Sequence, residues 1–225
     1  LLATAAVAAG RMTSQEVLCA DGPDNSSRFP ENIRVGIIGL EGHYAEISDA
    51  ARTLPQIRIT AIAEKSTALL AQAARNALLK DARRHDDYRK MLDSEKLDVV
   101  AVCGENGTRA EIVQACAERK LPIVAEKPLA LSIEELEATR RKVTAYGVPL
   151  TMLLPMRFDP QYQKMRSIVQ SGMIGEVAGM GAQKSYKLGK RPDWMKARKT
   201  YGGTIPYIGI HMVDLMRYVS GREFV

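Results

Sequence analysis

The sequence predicts an α/β fold: a doubly wound parallel sheet, followed by the start of an α+β domain. Three observations predict it. Short β-branched runs recur at IRVGII (33–38), IRITAIA (57–63), DVVAVC (98–103) and LPIVAE (121–126). Segments with helical spacing, such as TRAEIVQACAERK (108–120), separate them. The first run is followed by Gly39, a turn residue that leads toward such a segment. Strands alternating with helices imply a parallel sheet covered on both faces.

Composition bounds the rest. At 225 residues, 46% hydrophobic and 26% charged, the chain can bury one full core and begin a second. It holds no run of eighteen apolar residues, so no membrane span is expected. Cys19, Cys103 and Cys116 are too few and too apolar in setting for a disulfide framework, and the last two read as small buried hydrophobes. His43, His85 and His211 are scattered without ligand spacing, so no metal site is expected. The formal charge is +6, but no helix-turn-helix, zinc or RRM pattern accompanies it, and nucleic acid is not an expected partner.

Residues 1–32 differ in character from the rest of the chain. LLATAAVAAG is apolar and alanine-rich, and CADGPDNSSRFPEN is a turn-rich linker. The segment is expected to be the remnant of an export signal, which places the protein in a bacterial periplasm; the competing reading is an extension of a cytoplasmic protein. No clean cleavage site is visible, since Ala20 has Leu18 two residues before it. Residues 33–152 are expected to form the dinucleotide domain and 153–225 the start of a second. In the first, Ser132 with Glu135 makes a capping box for a helix over 132–146, which Gly147 and Pro149 end. In the second, helices are expected at 160–171 and 209–219, with a strand at GEVAGMGAQKS (175–185) between them.

The turn after the first strand has the context of a Rossmann loop. A strand ends at Ile38, Gly39 bends the chain, Leu40 follows, and a helix opens near His43 or Tyr44. Glu64 closes the second strand 25 residues after Gly39, where a carboxylate can accept both ribose hydroxyls. That favours NAD; Lys65 and Ser66 could cradle a 2′-phosphate, which keeps NADP as the second option. Two glycines of the usual pattern are replaced, by Glu41 and Tyr44. A carboxylate ~5 Å from a phosphate charge costs about 3 kcal/mol at an effective dielectric of ~20. Gly42 can supply the close approach instead, with the helix N-terminus and His43 as donors.

Downstream, VAVCGENGTRAEIVQACAERKLPIVAEKPLALSIEE resembles the glucose-fructose oxidoreductase/inositol dehydrogenase/MocA (Gfo/Idh/MocA) family: a strand, an Asn-bearing loop at Asn106, a helix, then Glu126-Lys127-Pro128. The resemblance continues through MRFDPQY (156–162), SGMIGEV (171–177) and GGTIPYIGIHMVDLMRYVSG (202–221). It implies an NAD(P)-dependent oxidoreductase acting on a sugar, a cyclic polyol or a derivative. Lys127 would be the general base and also touch the cofactor, at a strand end where burial lowers its pKa toward the working pH. Glu126 would face the nicotinamide ribose, Pro128 would shape the turn, a cis bond being one way to do so, and Asn106 would hold cofactor. The family motif Asp-x-x-x-His-x-x-Asp implies a catalytic set that places His211 over the substrate as donor, acceptor or proton relay, with Asp214 matching the last position, while Tyr207 stands where the first Asp belongs. A phenol cannot supply that negative charge at neutral pH.

Between the motifs, KSYKLGKRPDWMKARK (184–199) holds seven Lys or Arg and one acid. It is expected to be a loop near the substrate, with Trp194 as a wall for a sugar ring and Arg157 and Tyr207 also lining the pocket, or else a solvated basic loop. Family members continue past the His helix into a large open sheet, through which the full-length protein would form a homo-oligomer. This chain stops at GREFV, so it is expected to be a fragment with an incomplete second domain. The competing functional class is a nucleotide- or sugar-binding regulatory protein that lost catalysis, suggested by Glu41, Tyr44 and Tyr207; the intact Glu126-Lys127-Pro128 and His211 argue against it.

Overall fold

A computed structural model describes residues 30–187 and 189–223. The expected export-signal remnant and Cys19 lie outside the described residues. The chain divides into two compact units, one ending at Leu153 and the other beginning at Leu154.

The first unit runs β1 (Ile33–Ile38), α1 (Tyr44–Thr53), β2 (Ile57–Ala63), α2 (Thr67–Ala73), β3 (Arg83–His85), α3 (Tyr88–Ser94), β4 (Val99–Val102), α4 (Asn106–Glu118), β5 (Ile123–Ala125), α5 (Ile133–Tyr146) and β6 (Leu150–Met152). The six strands form one sheet in the order β3-β2-β1-β4-β5-β6, and every ladder is parallel. This is the doubly wound Rossmann order, which reverses between β1 and β4. Successive residues of a strand feed opposite cores. Val99 and Ala101 join Val35, Ile37 and Ile47 on one face, while Val100 and Val102 join Ile112, Val113 and Cys116 on the other. Both faces are therefore dry, and Cys103 and Cys116 are free thiols buried within them.

The helix ends follow local chemistry. Ser132 Oγ accepts the Glu135 N–H at 3.1 Å, and Glu135 Oε2 accepts the N–H of Leu131 at 2.9 Å, one residue before the place a capping box would give it. Gly147, with φ 63°, ends α5 in the left-handed conformation. The two edge strands were not foreseen. β3 is Arg-Arg-His, with no apolar side chain, and β6 is three residues long, so each takes its strand conformation from its single neighbour rather than from its own pattern.

The second unit contains a 3-10 turn (Pro155–Phe158), α6 (Pro160–Gln170), a second 3-10 turn (Asp193–Lys196), α7 (Arg198–Tyr201), a π turn (Ile205–Gly209) and α8 (Ile210–Ser220). Helices α6 and α8 pack on each other. Arg166 binds them, stacking on the Tyr218 ring at 4.7 Å and donating to the Tyr218 carbonyl. The strand expected over 175–185 is not formed. That stretch carries three glycines and is largely exposed, and among the described residues this unit offers no second strand to accept its backbone bonds. No helix of the described residues is long and apolar enough to cross a membrane.

Candidate functional site

The carboxyl ends of β1, β2, β4 and β5 bring most of the first unit's predicted residues to one edge of the sheet. In an open parallel sheet, ligands bind at this edge, where the strand order reverses. Gly39 leaves β1 with φ 82°, and a Cβ there would lie 2.3 Å from Gly104 Cα at the end of β4. The two loops meet backbone to backbone, which only glycine at position 39 permits.

Glu64 ties the next strand to this loop. Its Oε2 accepts the Leu40 N–H at 2.9 Å and its Oε1 accepts the Ser66 N–H at 2.8 Å. Each oxygen keeps a lone pair for a further donor. Ser66 in turn caps α2 by accepting the Leu69 N–H, and Lys65 is exposed beside it.

Gly42 has φ 61°, and a Cβ there would come 2.8 Å from Glu126 Oε1. The group that approaches Gly42 so closely is thus the Glu126 carboxylate. His43 precedes the first residue of α1, and its Nδ1 lies 2.8 and 2.9 Å from the two Glu126 oxygens. Glu126 and Lys127 follow β5 directly, both are buried, and Lys127 Nζ lies 3.5 Å from Glu126 Oε1. The Lys127–Pro128 bond is cis. Burial alone would raise the Glu126 pKa, but the His43 hydrogen bond and the charges of His43, Lys127 and Arg109 outweigh it and hold the carboxyl below its usual range.

Arg109 is the residue here that sequence reasoning missed. It is 1% exposed, three residues after Asn106 on α4, and donates to Asn106 Oδ1 at 3.0 Å, to the Pro128 carbonyl at 2.6 Å and to the Gly104 carbonyl. One guanidinium therefore joins the β4 loop, the start of α4 and the turn that carries Lys127. Its i, i+3 spacing from Asn106 was the available signal. Replacing Arg109 with methionine is expected to cost about 3 kcal/mol or more, since it strands three acceptors at roughly 1–3 kcal/mol each when buried. Denaturant unfolding checks this, and a loss under about 1 kcal/mol would contradict the clamp.

In the second unit, the structure pairs two predicted residues that sequence reasoning had given separate roles. Arg157 Nε donates to Asp214 Oδ2 at 2.8 Å, and its Nη2 donates to Oδ1. The fork is bidentate, so Asp214 is anchored and its charge balanced within the unit. His211 lies buried on α8, three residues before Asp214. Tyr207 sits in the π turn just before that helix, a distortion often found at functional sites. Its ring packs edge-on against Tyr201 at 5.1 Å and Trp194 at 6.1 Å. Trp194 is thus part of an aromatic cluster closed by Tyr201, which is buried and was not foreseen. Arg191 donates to the Tyr201 hydroxyl at 3.3 Å and to Tyr186 at 2.6 Å, so part of the basic stretch is tied down.

Comparison with known proteins gives consistent matches. The model of the GFO_IDH_MocA oxidoreductase family, NAD-binding Rossmann fold, matches residues 33–153, more than half of the chain, and that of the GFO/IDH/MocA C-terminal domain matches 162–225. An inositol 2-dehydrogenase of Saccharopolyspora erythraea is 29% identical over 200 residues, covering 86% of this chain and 55% of the relative. A myo-inositol 2-dehydrogenase of Thermotoga maritima is 25% identical over 192 residues, covering 85% and 56%. A solved structure from Thermotoga maritima, assigned to an oxidoreductase, superposes with a TM-score of 0.79 at 31% identity, covering 86% of this chain and 60% of that one. The chain spans about half the length of the curated relatives it matches.

Proposed function

Because the chain belongs to the Gfo/Idh/MocA oxidoreductase family, we propose that it serves an NAD-dependent oxidation of a secondary hydroxyl on a cyclic polyol, a sugar or a derivative. The observation that carries this reading is the buried Lys127, set beside Glu126 at the carboxyl end of β5 and on the sheet edge that also bears the Gly39 loop. A retired site has no physical need to keep an amine buried there.

The residues present fit a dinucleotide. The glycine-only contact at Gly39 leaves backbone at the switch point, the amino end of α1 supplies N–H groups, and Glu64 ends β2 with acceptor capacity for ribose hydroxyls. Gly39, Leu40, Gly42, His43, Glu64, Lys65, Asn106 and Glu126 are proposed to hold it. When bound, NAD supplies the hydride acceptor. Lys127 takes the hydroxyl proton at Nζ. From the second unit, His211, Tyr207, Trp194, Arg157 and Asp214 are the proposed substrate-side groups: His211 to donate or accept a hydrogen bond, the rings to pack on an apolar sugar face, and the Arg157–Asp214 fork to keep α8 in register. The names of the matched relatives support turnover and do not favour the regulatory alternative.

The test is direct. Purified protein is titrated with NAD and NADP by calorimetry, then assayed for NADH formation with myo-inositol, scyllo-inositol and glucose. NAD should bind at least about tenfold more tightly than NADP, about 1.4 kcal/mol, because Glu64 repels a 2′-phosphate. Equal affinities would show that Lys65 and Ser66 override the carboxylate, and absence of nucleotide binding would end the proposal.

A further inference from the structure

His43, Glu126 and Lys127 form a line of ionisable groups of which the proposed reaction uses only one end. His43 Nδ1 is 2.8 Å from Glu126 Oε1, and Lys127 Nζ is 3.5 Å from the same oxygen. A carboxylate only accepts, so Nδ1 carries a hydrogen in either protonation state. His43 is therefore the imidazolium or the neutral tautomer whose Nε2 is an acceptor. The Glu126 and Lys127 side chains are 1% and 2% exposed and that of His43 is 29% exposed. Of the three, His43 is the one that reaches solvent.

We infer that His43 and Lys127 share a single proton around Glu126, so that uptake of the substrate proton by Lys127 is coupled to release of a proton from His43 to solvent. The reading of Lys127 as the base gives this coupling its role in turnover. Before the step the trio is imidazolium, carboxylate and neutral amine; after it, neutral imidazole, carboxylate and ammonium. One proton enters at Lys127 Nζ and one leaves at His43 Nε2; the hydride, with its electron pair, would go to NAD when bound, without involving the trio. The net charge of the three stays at zero throughout.

The physical reason is that one buried carboxylate balances one cation. A second cation beside it would face repulsion from the first and from Arg109, whose charge also bears on Glu126. Glu126 stays ionised in both states, held down by the His43 hydrogen bond and the surrounding cations against the opposing effect of burial. Cys103 is a further titratable group facing this carboxylate, and burial pushes its thiol well above the ordinary range, so it stays neutral. Release of the second proton thus requires no protonated Glu126 and no contact of Lys127 with bulk solvent, since it leaves from His43.

The experiment is NMR titration of the isotope-labelled imidazoles in cofactor-free protein, with the His43 signal assigned by its loss in His43→Gln and the backbone spectrum showing that each variant is folded. Lys127→Met removes an amine that is already neutral while His43 carries the proton, so the His43 midpoint should stay within about 0.3 unit of the parent. Lys127→Arg sets a permanent cation beside Glu126, and the midpoint should fall by about one pH unit, tenfold in proton affinity. A fall below about 0.3 unit in Lys127→Arg would overturn the shared proton, and so would a rise of about one unit in Lys127→Met, which would put the resting proton on Lys127. Turnover is read separately. If the Lys127→Arg midpoint falls as expected while Lys127→Met keeps its activity, the base assignment fails and the shared proton stands. If Lys127→Met loses activity but the Lys127→Arg midpoint does not move, the base assignment stands and the coupling falls.

Discussion

Lys127→Ala is expected to lower turnover of the proposed polyol substrate by about 10²–10⁴-fold, the range typical for loss of a positioned general base, which is the role proposed for Lys127. NAD affinity should stay within about threefold, since the backbone groups of the Gly39 loop and the Glu64 carboxylate are untouched. The substitution also removes a cation 3.5 Å from a buried carboxylate, so part of any loss could come from instability. Lys127→Met separates the effects, because it keeps most of the side-chain volume while removing the amine. If the methionine variant is folded, binds NAD and turns over within about threefold of the parent, Lys127 is not the base.

The central sheet was legible because its strands announce themselves. IRVGII and IRITAIA coincide with β1 and β2, and the runs at 98–103 and 121–126 contain β4 and β5. Strands buried on both faces need continuous apolar residues, and that need is written in composition. The edge strands carry no such demand, since Arg83–His85 and Leu150–Met152 each bond to a single neighbour. A sequence reading therefore passes over them. The failed strand at 175–185 errs the other way: residues with some β propensity remain without pairing because pairing is a property of two segments.

At the site, identities were easier to read than relations. Gly39, Glu64, Glu126, Lys127 and His211 are short-range signals, each recognisable beside its own strand or helix. That Gly42 opposes Glu126, that His43 bonds it, and that Arg157 forks onto Asp214 are contacts across 84, 83 and 57 positions of sequence. No local pattern encodes them. Arg109 is the clearest case. Its spacing from Asn106 marks only a helix neighbour, whereas its function as a clamp depends on carbonyls at Gly104 and Pro128 that the fold brings to it.

Gly39→Ala is expected to be the most damaging small substitution in the first unit, by about 2–6 kcal/mol, and to abolish nucleotide binding in whatever fraction remains folded. Two costs add. A non-glycine residue held at φ 82° carries strain of roughly 1–3 kcal/mol. The new methyl would also lie 2.3 Å from Gly104 Cα and 2.4 Å from its nitrogen, and backbone can yield only by opening the β1 and β4 loops, at roughly 1–3 kcal/mol for overpacking. Two further substitutions resolve these terms. Gly147→Ala has a similar φ of 63° with nothing within 4 Å of the added carbon, so it reports the strain alone. Gly104→Ala would meet Gly39 Cα at 3.5 Å, an ordinary contact, and should be tolerated although it touches the same crossing. The expected order of destabilisation by denaturant unfolding is Gly39, then Gly147, then Gly104. Should Gly39→Ala prove no worse than Gly147→Ala and still bind NAD, the close backbone approach at the switch point would not be what shapes the nucleotide site.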